Sequence, residues 1–156
     1  MTLDKIDLAI LRLLQTQGRI ANQELASMVG LSPSPCSRRV KALEEAGYIR
    51  SYAAILAPEM FDLHLTVHIQ VRMERHTQEV LGAFEAQISR YPEVLECSLL
   101  TGSESDYLLK VMVRDMQSYR AFLLDKLTSN AHIAGVHSSF VLKQVKNHGP
   151  LPLPEA

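Results

Sequence analysis

The chain has 156 residues and a formal net charge of −1, so it is long enough for one large domain or two small ones, and too close to neutral for a protein that coats nucleic acid non-specifically. It contains no run of about eighteen apolar residues, which excludes a membrane-spanning helix. Its first residues lack the charged and apolar regions of a signal peptide, and we therefore expect a cytoplasmic protein.

Residues 1–49 carry the hydrophobic pattern of three short helices. Asp4 is placed to cap the first, whose apolar residues recur at helical spacing until the chain approaches Gly18. The second begins at Ala21 or at Asn22, and Asn22 is the better capping residue. A tight break at Gly30 separates it from the third helix. Two helices joined in this way form a helix-turn-helix, the unit that places a helix in the DNA major groove.

The third helix has two different sides. Ser32 is placed to cap it, and Pro33 occupies the first position, where a missing N–H costs nothing. At about 100° per residue, Cys36, Val40 and Leu43 form one apolar stripe. We expect this stripe to pack on the first two helices and to bury one small core.

The opposite side of the third helix is polar and carries basic residues. A basic run on a helix is most often a solvated surface, but this one lies at the start of the second helix of a helix-turn-helix, where DNA-contacting residues are found. Contacts to bases and contacts to phosphates stay open as alternatives. The predicted DNA-binding residues are Ser32, Ser34, Ser37, Arg38, Arg39 and Lys41.

The charge of the chain is divided unevenly. Residues 1–57 contain 7 Lys and Arg against 5 Asp and Glu, whereas the remainder contains 9 against 12. The basic bias of the helical part is weak. Because affinity for DNA rises with the number of phosphates neutralised, we expect two or more copies of the chain to act on one duplex.

The rest of the chain predicts a linker, an α/β domain and a tail. Residues 50–64 form a linker, in which an extended strand over Arg50–Leu56 leads to a hinge. Residues 65–146 show strand, helix, strand, strand, helix and strand in that order, which is the ferredoxin-like βαββαβ arrangement. The predicted strands are Leu65–Met73, Val94–Leu100, Tyr107–Val113 and Val136–Lys146; one helix carries Val80, Leu81, Phe84 and Ile88, and Asp115 caps the other.

Such a sheet carries helices on one face only, so we expect the sheet of a partner to cover the other. The fold class is therefore α+β, with a helix-turn-helix domain followed by a domain for oligomerisation. Residues 147–156 alternate Leu and Pro near their end and cannot be helical. We interpret this tail as an extended arm on a neighbouring surface, or as frayed, rather than as a dedicated recognition ligand.

Other functional classes find little support. Cys36 and Cys97 have no paired spacing and resemble small core residues, not a disulfide or a metal site. The six histidines are scattered, and the sequence contains no phosphate-binding loop, nucleophile elbow or zinc-protease motif. We expect neither an enzyme nor a metal protein.

The run Val29–Cys36, together with Arg39–Glu44 and Gly47–Ile49, resembles the Lrp/AsnC family of "feast/famine" regulators. So do Thr101-Gly102 with Asp106–Leu109, and Ser138–Lys143 near the end. The resemblance extends from Leu3 to about Lys146. It implies a winged or plain helix-turn-helix and a ferredoxin-like effector domain. It also implies homodimers that assemble into octamers, and amino-acid effectors bound where dimers meet.

The chain departs from the family between Gly102 and Asp106, where three residues stand instead of the usual two. This longer turn, which by resemblance forms one wall of the effector pocket, leaves the choice of amino acid open. A bound amino acid needs donors for its carboxylate and an acceptor for its ammonium group. The amides around Gly102 are candidate donors, and Asp106 is a candidate acceptor. The predicted effector-binding residues are Thr101, Gly102, Asp106, Ser138 and Ser139.

Each of these residues also has a structural explanation. Asp106 can close the turn through its own side chain, Gly102 can supply a positive φ, and the serines can simply line a strand. No cofactor other than the effector is expected. The rival to an effector-responsive regulator is an architectural protein that wraps DNA through an oligomeric ring without effector control.

Overall fold

The computed structural model describes residues 2–129 and 132–155. The chain forms two compact units. The first contains the residues up to Ile55 together with the tail from Lys146, and the second runs from Leu56 to Val145. Each unit has a hydrophobic core of its own. Among the described residues, no helix is long and apolar enough to cross a membrane.

The first unit is built on three helices. Asp4 caps the first helix as predicted: its side chain accepts a hydrogen bond from the Asp7 amide, and the Asp7 side chain accepts one from the Asp4 amide. This reciprocal pair satisfies two amides that the helix itself leaves without partners. Ser32 holds the N-cap position of the third helix, with Pro33 following it, but the Ser32 side chain forms no capping hydrogen bond. The helices are α1 (Lys5–Thr16), α2 (Asn22–Met28) and α3 (Pro33–Glu45).

The turn between α2 and α3 depends on a glycine. Gly30 has φ +71°, in the left-handed region that side chains other than glycine rarely adopt. The Leu31 amide donates to the Ala26 carbonyl at 2.9 Å, and the Gly30 amide donates to the Ser27 carbonyl at 3.3 Å. These two bonds satisfy carbonyls at the end of α2 and form a Schellman motif. The chain is thereby redirected into α3.

The first unit buries the apolar stripes that the sequence predicts. Ile10, Cys36 and Leu43 have no exposed surface, and Leu25 is almost completely buried. The expectation that Asn22 caps α2 is wrong. Ala21 holds the N-cap position, and the Asn22 side chain instead donates to the Pro33 carbonyl at 2.9 Å.

The second unit is a four-stranded antiparallel sheet with two helices, and its element order confirms the predicted ferredoxin-like arrangement. The strand order is β2-β3-β1-β4, with β1 paired to both β3 and β4. A short 3-10 helix (Pro58–Phe61) precedes the sheet. The elements are β1 (Leu65–Met73), α4 (Gln78–Ile88), β2 (Val94–Leu99), β3 (Tyr107–Val113), α5 (Met116–Ala121, continuing as one π-helical segment, Phe122–Leu127) and β4 (Ile133–Phe140).

Alternation along β1 and β3 gives the sheet one buried face and one open face. Val67, Ile69 and Leu109 have no exposed surface and pack with Phe84 of α4 and Phe122 of the π-helical segment. The alternate residues of β1 point to the other face, which no helix of the described chain covers. These residues are Thr66, His68, Gln70 and Arg72.

Three local expectations are corrected. The predicted strand over Arg50–Leu56 does not form in the described chain, because a β-strand needs a neighbouring strand with which its backbone can form hydrogen bonds. The last strand is Ile133–Phe140 and not Val136–Lys146, because Phe140 pairs with Val67 near the start of β1 and the partner ends soon after. Cys97 lies exposed on the edge strand β2 and is not a core residue.

Candidate nucleic-acid interface and effector site

The exposed side of α3 brings together most of the predicted DNA-binding residues. Ser34, Ser37, Arg38 and Lys41 fall within about 100° of arc at helical spacing, and all four side chains are exposed. Ser32 is also exposed and precedes them at the N-cap. The Lys41 ammonium lies 3.6 Å from Glu45, but both side chains are largely exposed, so this pair contributes little. The surface presents two cations and three hydroxyls.

Arg39 points to a different side of α3. It lies about 100° from Arg38 around the helix axis, and its guanidinium contacts Asp4 at 2.7 Å and Asp7 at 2.8 Å. These contacts raise the pKa of Arg39, the bond with Asp7 contributing more than the bond with Asp4. The Asp7 amide, and then Arg39, lower the pKa of Asp4. Arg39 thus joins α3 to the start of α1.

The predicted effector residues of the second unit begin in the turn between β2 and β3. The Leu100 amide donates to the Asp106 carbonyl at 2.7 Å and closes a loop over residues 101–105. Gly102 has φ +76° in this loop, so it supplies the positive φ that the sequence leaves as one explanation for it. Thr101 lies beside it and is exposed.

Asp106 is the best-connected residue of this region. Its carboxylate accepts a hydrogen bond from the Met73 amide at 2.7 Å and contacts the His76 ring nitrogen Nε2 at 2.7 Å. Its amide donates to the Val71 carbonyl at 2.9 Å. Only 19% of its side chain is exposed, against 64% for His76. Asp106 ties the turn to the end of β1, and a carboxylate with two such bonds still has lone pairs for further donors.

The two predicted serines do not lie with Asp106. Ser138 pairs with Ile69 and Ser139 with His68, so they point to opposite faces of the sheet. The Ser138 hydroxyl is hydrogen-bonded to the Tyr119 hydroxyl. Since strands rise about 3.3 Å per residue, Ser138 lies about 13 Å along the ladder from the end of β1 at Met73. One chain alone therefore does not assemble the five predicted effector residues into one pocket.

Sequence reasoning missed a polar cavity on the open face of the sheet. It has a volume of about 290 Å³ and is lined by residues of β1, the 101–105 turn and β4. The Arg72 guanidinium lies 3.6 Å from the position of a Cβ atom added to Gly135, and forms no ion pair with another described residue. The alternation of β1 does place Arg72 on this face, but nothing in the sequence brings it opposite a glycine. The lining residues are Gln70, Arg72, Glu104, Ser105, Gly135, Val136 and His137.

A helix-turn-helix unit with an exposed basic helix, attached to a separate α/β unit with a polar cavity, defines a DNA-binding regulator that carries a ligand-binding domain. Two family models match these units. Residues 3–50 match a winged helix-turn-helix DNA-binding domain, and residues 66–151 match the Lrp/AsnC ligand binding domain. The chain belongs to the Lrp/AsnC family of transcriptional regulators, which is a family of regulators and not of enzymes.

Relatives match along nearly the whole chain. The Bkd operon transcriptional regulator of Pseudomonas aeruginosa is 42% identical over 151 residues, covering 97% of this chain and 98% of its own. The leucine-responsive regulatory protein of Salmonella typhimurium is 40% identical, covering 96% and 90%. A transcriptional regulator of Neisseria meningitidis, solved as a complex with L-Met, is 46% identical, with a TM-score of 0.92 over 97% of both chains.

Proposed function

We propose that the protein is a sequence-specific transcription regulator whose α3 enters the major groove of double-stranded DNA and whose second unit senses an amino acid. The observation that carries the DNA contact is the arrangement on α3: Arg38 and Lys41 are exposed on one side, while Cys36 and Leu43 bury the other. Arg39, held by two carboxylates, contributes to DNA binding less than Arg38 does.

The proposed regulator acts as a homodimer, and dimers assemble into octamers. The weak basic bias of the first unit favours several copies on one duplex, and the open face of the sheet offers a surface for association. A dimer would place two α3 helices in successive major grooves about 34 Å apart, and an octamer would engage a long, wrapped site. We further propose that the protein acts in the cytoplasm, as expected for a regulator similar to bacterial transcription regulators.

Removal of the α3 cations tests the DNA contact. We expect Arg38→Ala and Lys41→Ala each to weaken binding to the DNA upstream of the protein's own gene. A lost phosphate contact lowers the slope of log affinity against log salt by about 1, whereas a lost base contact costs about 1–3 kcal/mol and relaxes specificity at one position. Titrations at several salt concentrations, with operator and with scrambled DNA, distinguish these outcomes.

Arg90→Ala is the matched control, because it removes the same charge from an exposed position of the second unit. It should leave both affinity and salt slope unchanged. Full-strength binding by the Arg38→Ala, Lys41→Ala double variant would show that this side of α3 does not face the DNA.

An amino acid is the proposed ligand for two reasons. The regulator of Neisseria meningitidis was solved with L-Met, and several relatives at 39–40% identity are named leucine-responsive regulatory proteins. The turn at Gly102 and the carboxylate of Asp106 also supply the two kinds of group that a zwitterion requires. We expect an amino acid with an apolar side chain.

The proposed effector site is completed by more than one chain. Thr101, Gly102 and Asp106 lie at one end of the sheet, whereas Ser138 and Ser139 lie farther along β4 and on opposite faces. We expect the turn of one chain to face serines of another where dimers meet. An effector bound there would favour one arrangement of dimers over another, which is the requirement for a change in DNA binding.

Thermal unfolding of the full chain with each of the twenty amino acids tests this proposal. A ligand at about 100 times its Kd stabilises the folded form by about 2.7 kcal/mol, so the effector should raise the unfolding temperature. We expect Asp106→Ala to lower the baseline stability and to abolish the ligand-dependent increase, while basal DNA binding persists. Asp125→Ala, an exposed charge of the same unit, should retain the increase.

A ligand-dependent increase retained in Asp106→Ala would remove this residue from the pocket. If no amino acid changes unfolding temperature, assembly or footprint, the alternative function stands: an architectural protein that wraps DNA without an effector.

A further inference from the structure

The C-terminal tail packs against α1 of the DNA-binding unit. The Leu151 amide donates to Gln15 Oε1 at 2.6 Å, and Gln15 Nε2 donates back to the Leu151 carbonyl at 3.4 Å. Arg12 donates to the carbonyl of Pro154. Leu153 is half-buried and packs against the three-helix core. The tail is thus held by hydrogen bonds from Gln15 and Arg12 of α1 and by the apolar contact of Leu153 with the core.

The composition of the tail suits this kind of binding. Proline stands at positions 150, 152 and 154, and its fixed φ favours the extended polyproline II conformation, which repeats every three residues. The two bonded carbonyls, of Leu151 and Pro154, are three residues apart and therefore face the same side. Because prolines restrict the free tail, docking it loses less conformational entropy than docking an ordinary segment.

A groove extends beside the docked tail. It has a volume of about 700 Å³ and lies within the first unit, between α1 and the segment that follows α3. Leu151 lines it but remains 71% exposed, so the tail occupies the site without filling it. The other residues of this wall include Leu11, Leu14, Tyr48 and Tyr52.

We propose that the outer face of α1 is a binding site for an extended Leu-Pro peptide and that the tail of the same chain occupies it as a latch. The chain leaves the first unit after Ile55 and returns to it at Lys146. The docked tail therefore gives the DNA-binding unit a second attachment to the rest of the chain. Asp4 and Asp7 lie at the start of the same helix and bind Arg39 of α3. The latch therefore acts on the helix that supports α3.

Limited trypsin digestion of the full chain under native conditions tests the docking. The bond after Lys146 precedes the docked segment, and cleavage of a transiently open form follows the population of that form. Gln15→Ala removes both hydrogen bonds to Leu151 from an exposed helix position, so the fold should survive. We expect about tenfold faster cleavage at this bond. Leu153→Ser, which removes the apolar contact with the core, should also speed cleavage.

Gln23→Ala is the matched control, because it makes the same chemical change at an exposed position of α2. It should leave the cleavage rate unchanged. Equal rates in the wild type, Gln15→Ala and Leu153→Ser would overturn the proposal. Protection that disappears on dilution would also overturn it, because the tail would then belong to another chain.

The latch also predicts a difference in DNA binding, and this second readout rests on the proposed dimer. A restrained DNA-binding unit loses less freedom when two copies must engage two half-sites together. We expect Gln15→Ala to weaken binding to DNA with two half-sites by roughly threefold and to leave binding to a single half-site unchanged. Equal loss on both DNAs would contradict the restraint. The cleavage assay uses no DNA, so it separates failure of the latch from failure of the DNA proposal.

Discussion

The two units of the chain carry their candidate binding residues in different ways. In the first unit, the residues proposed for DNA lie within ten positions of one another, and five of the six are exposed around a single helix. In the second unit, the effector candidates come from a turn and from β4, with the serines on opposite faces of the sheet. A site made by one helix is complete in one chain. A site whose residues come from separate parts of a sheet needs a further surface to complete it, and we propose that another chain supplies that surface.

The cores of the two units also differ in how far apart their residues lie in the sequence. The first core joins residues of α1, α2 and α3, which follow one another closely along the sequence. The second core joins the inward-facing residues of β1 and β3 with residues of α4, α5 and the π-helical segment, and these elements are far apart in the sequence. The two clusters share no residue. This separation implies that damage to one core should leave the other folded.

The largest expected effects come from opening these cores one at a time. Leu43 and Leu109 both have no exposed surface, and replacing a buried Leu by Ala costs about 2–5 kcal/mol. We expect Leu43→Ala to lower hydrogen-exchange protection in α1–α3 and to weaken DNA binding, with β1 and β3 unaffected. Leu109→Ala should lower hydrogen-exchange protection in β1 and β3 and leave α1–α3 unaffected. Leu142→Ala, at a position 99% exposed, is the control and should change stability by no more than about 0.5 kcal/mol.

If either core variant lowered hydrogen-exchange protection equally in both units, the two units would unfold together. That result would contradict the independence of the two cores. Hydrogen exchange followed by mass spectrometry makes the distinction, because it reports each segment separately.

The sequence predicted those features that depend on neighbouring residues. The Asp4 cap, Pro33 at the start of α3 and the alternation of β1 each require only a few residues in a row, and the structure has all three. Asp115, whose side chain accepts a bond from the Ser118 amide at 2.7 Å, is a further local cap that was predicted. Such patterns follow directly from helix and strand periodicity.

Contacts between residues far apart in the sequence could not be predicted, because no local sequence pattern signals them. Arg39 meets Asp4 and Asp7 from more than thirty positions away, and the sequence counted it among the DNA-binding residues because nothing nearby signals these two partners. His76 meets Asp106 from 30 positions away, and the sequence offered it as one of six scattered histidines. The end of β4 also depended on a distant partner, because it is set by where β1 begins.

The smallest predicted effects compare one glycine from each unit. Neither Gly30 nor Gly82 has an atom within 4 Å of an added Cβ, but Gly30 has φ +71° whereas Gly82 lies inside α4. Gly30→Ala forces a side chain into the left-handed region and should destabilise the first unit by about 1 kcal/mol. Gly82→Ala removes backbone freedom from the unfolded chain at a helical position and should stabilise the second unit by about 0.5–1 kcal/mol.

Unfolding by denaturant, with hydrogen exchange to assign each change to its unit, measures both variants. Because space around the added methyl group is equal at the two positions, the opposite signs isolate the backbone conformation as the cause. Gly30→Ala should also weaken DNA binding, since the Schellman turn sets the direction in which α3 leaves α2. A stabilising Gly30→Ala would mean that this turn is not required, and that α3 is held in place by the core of Cys36 and Leu43 alone.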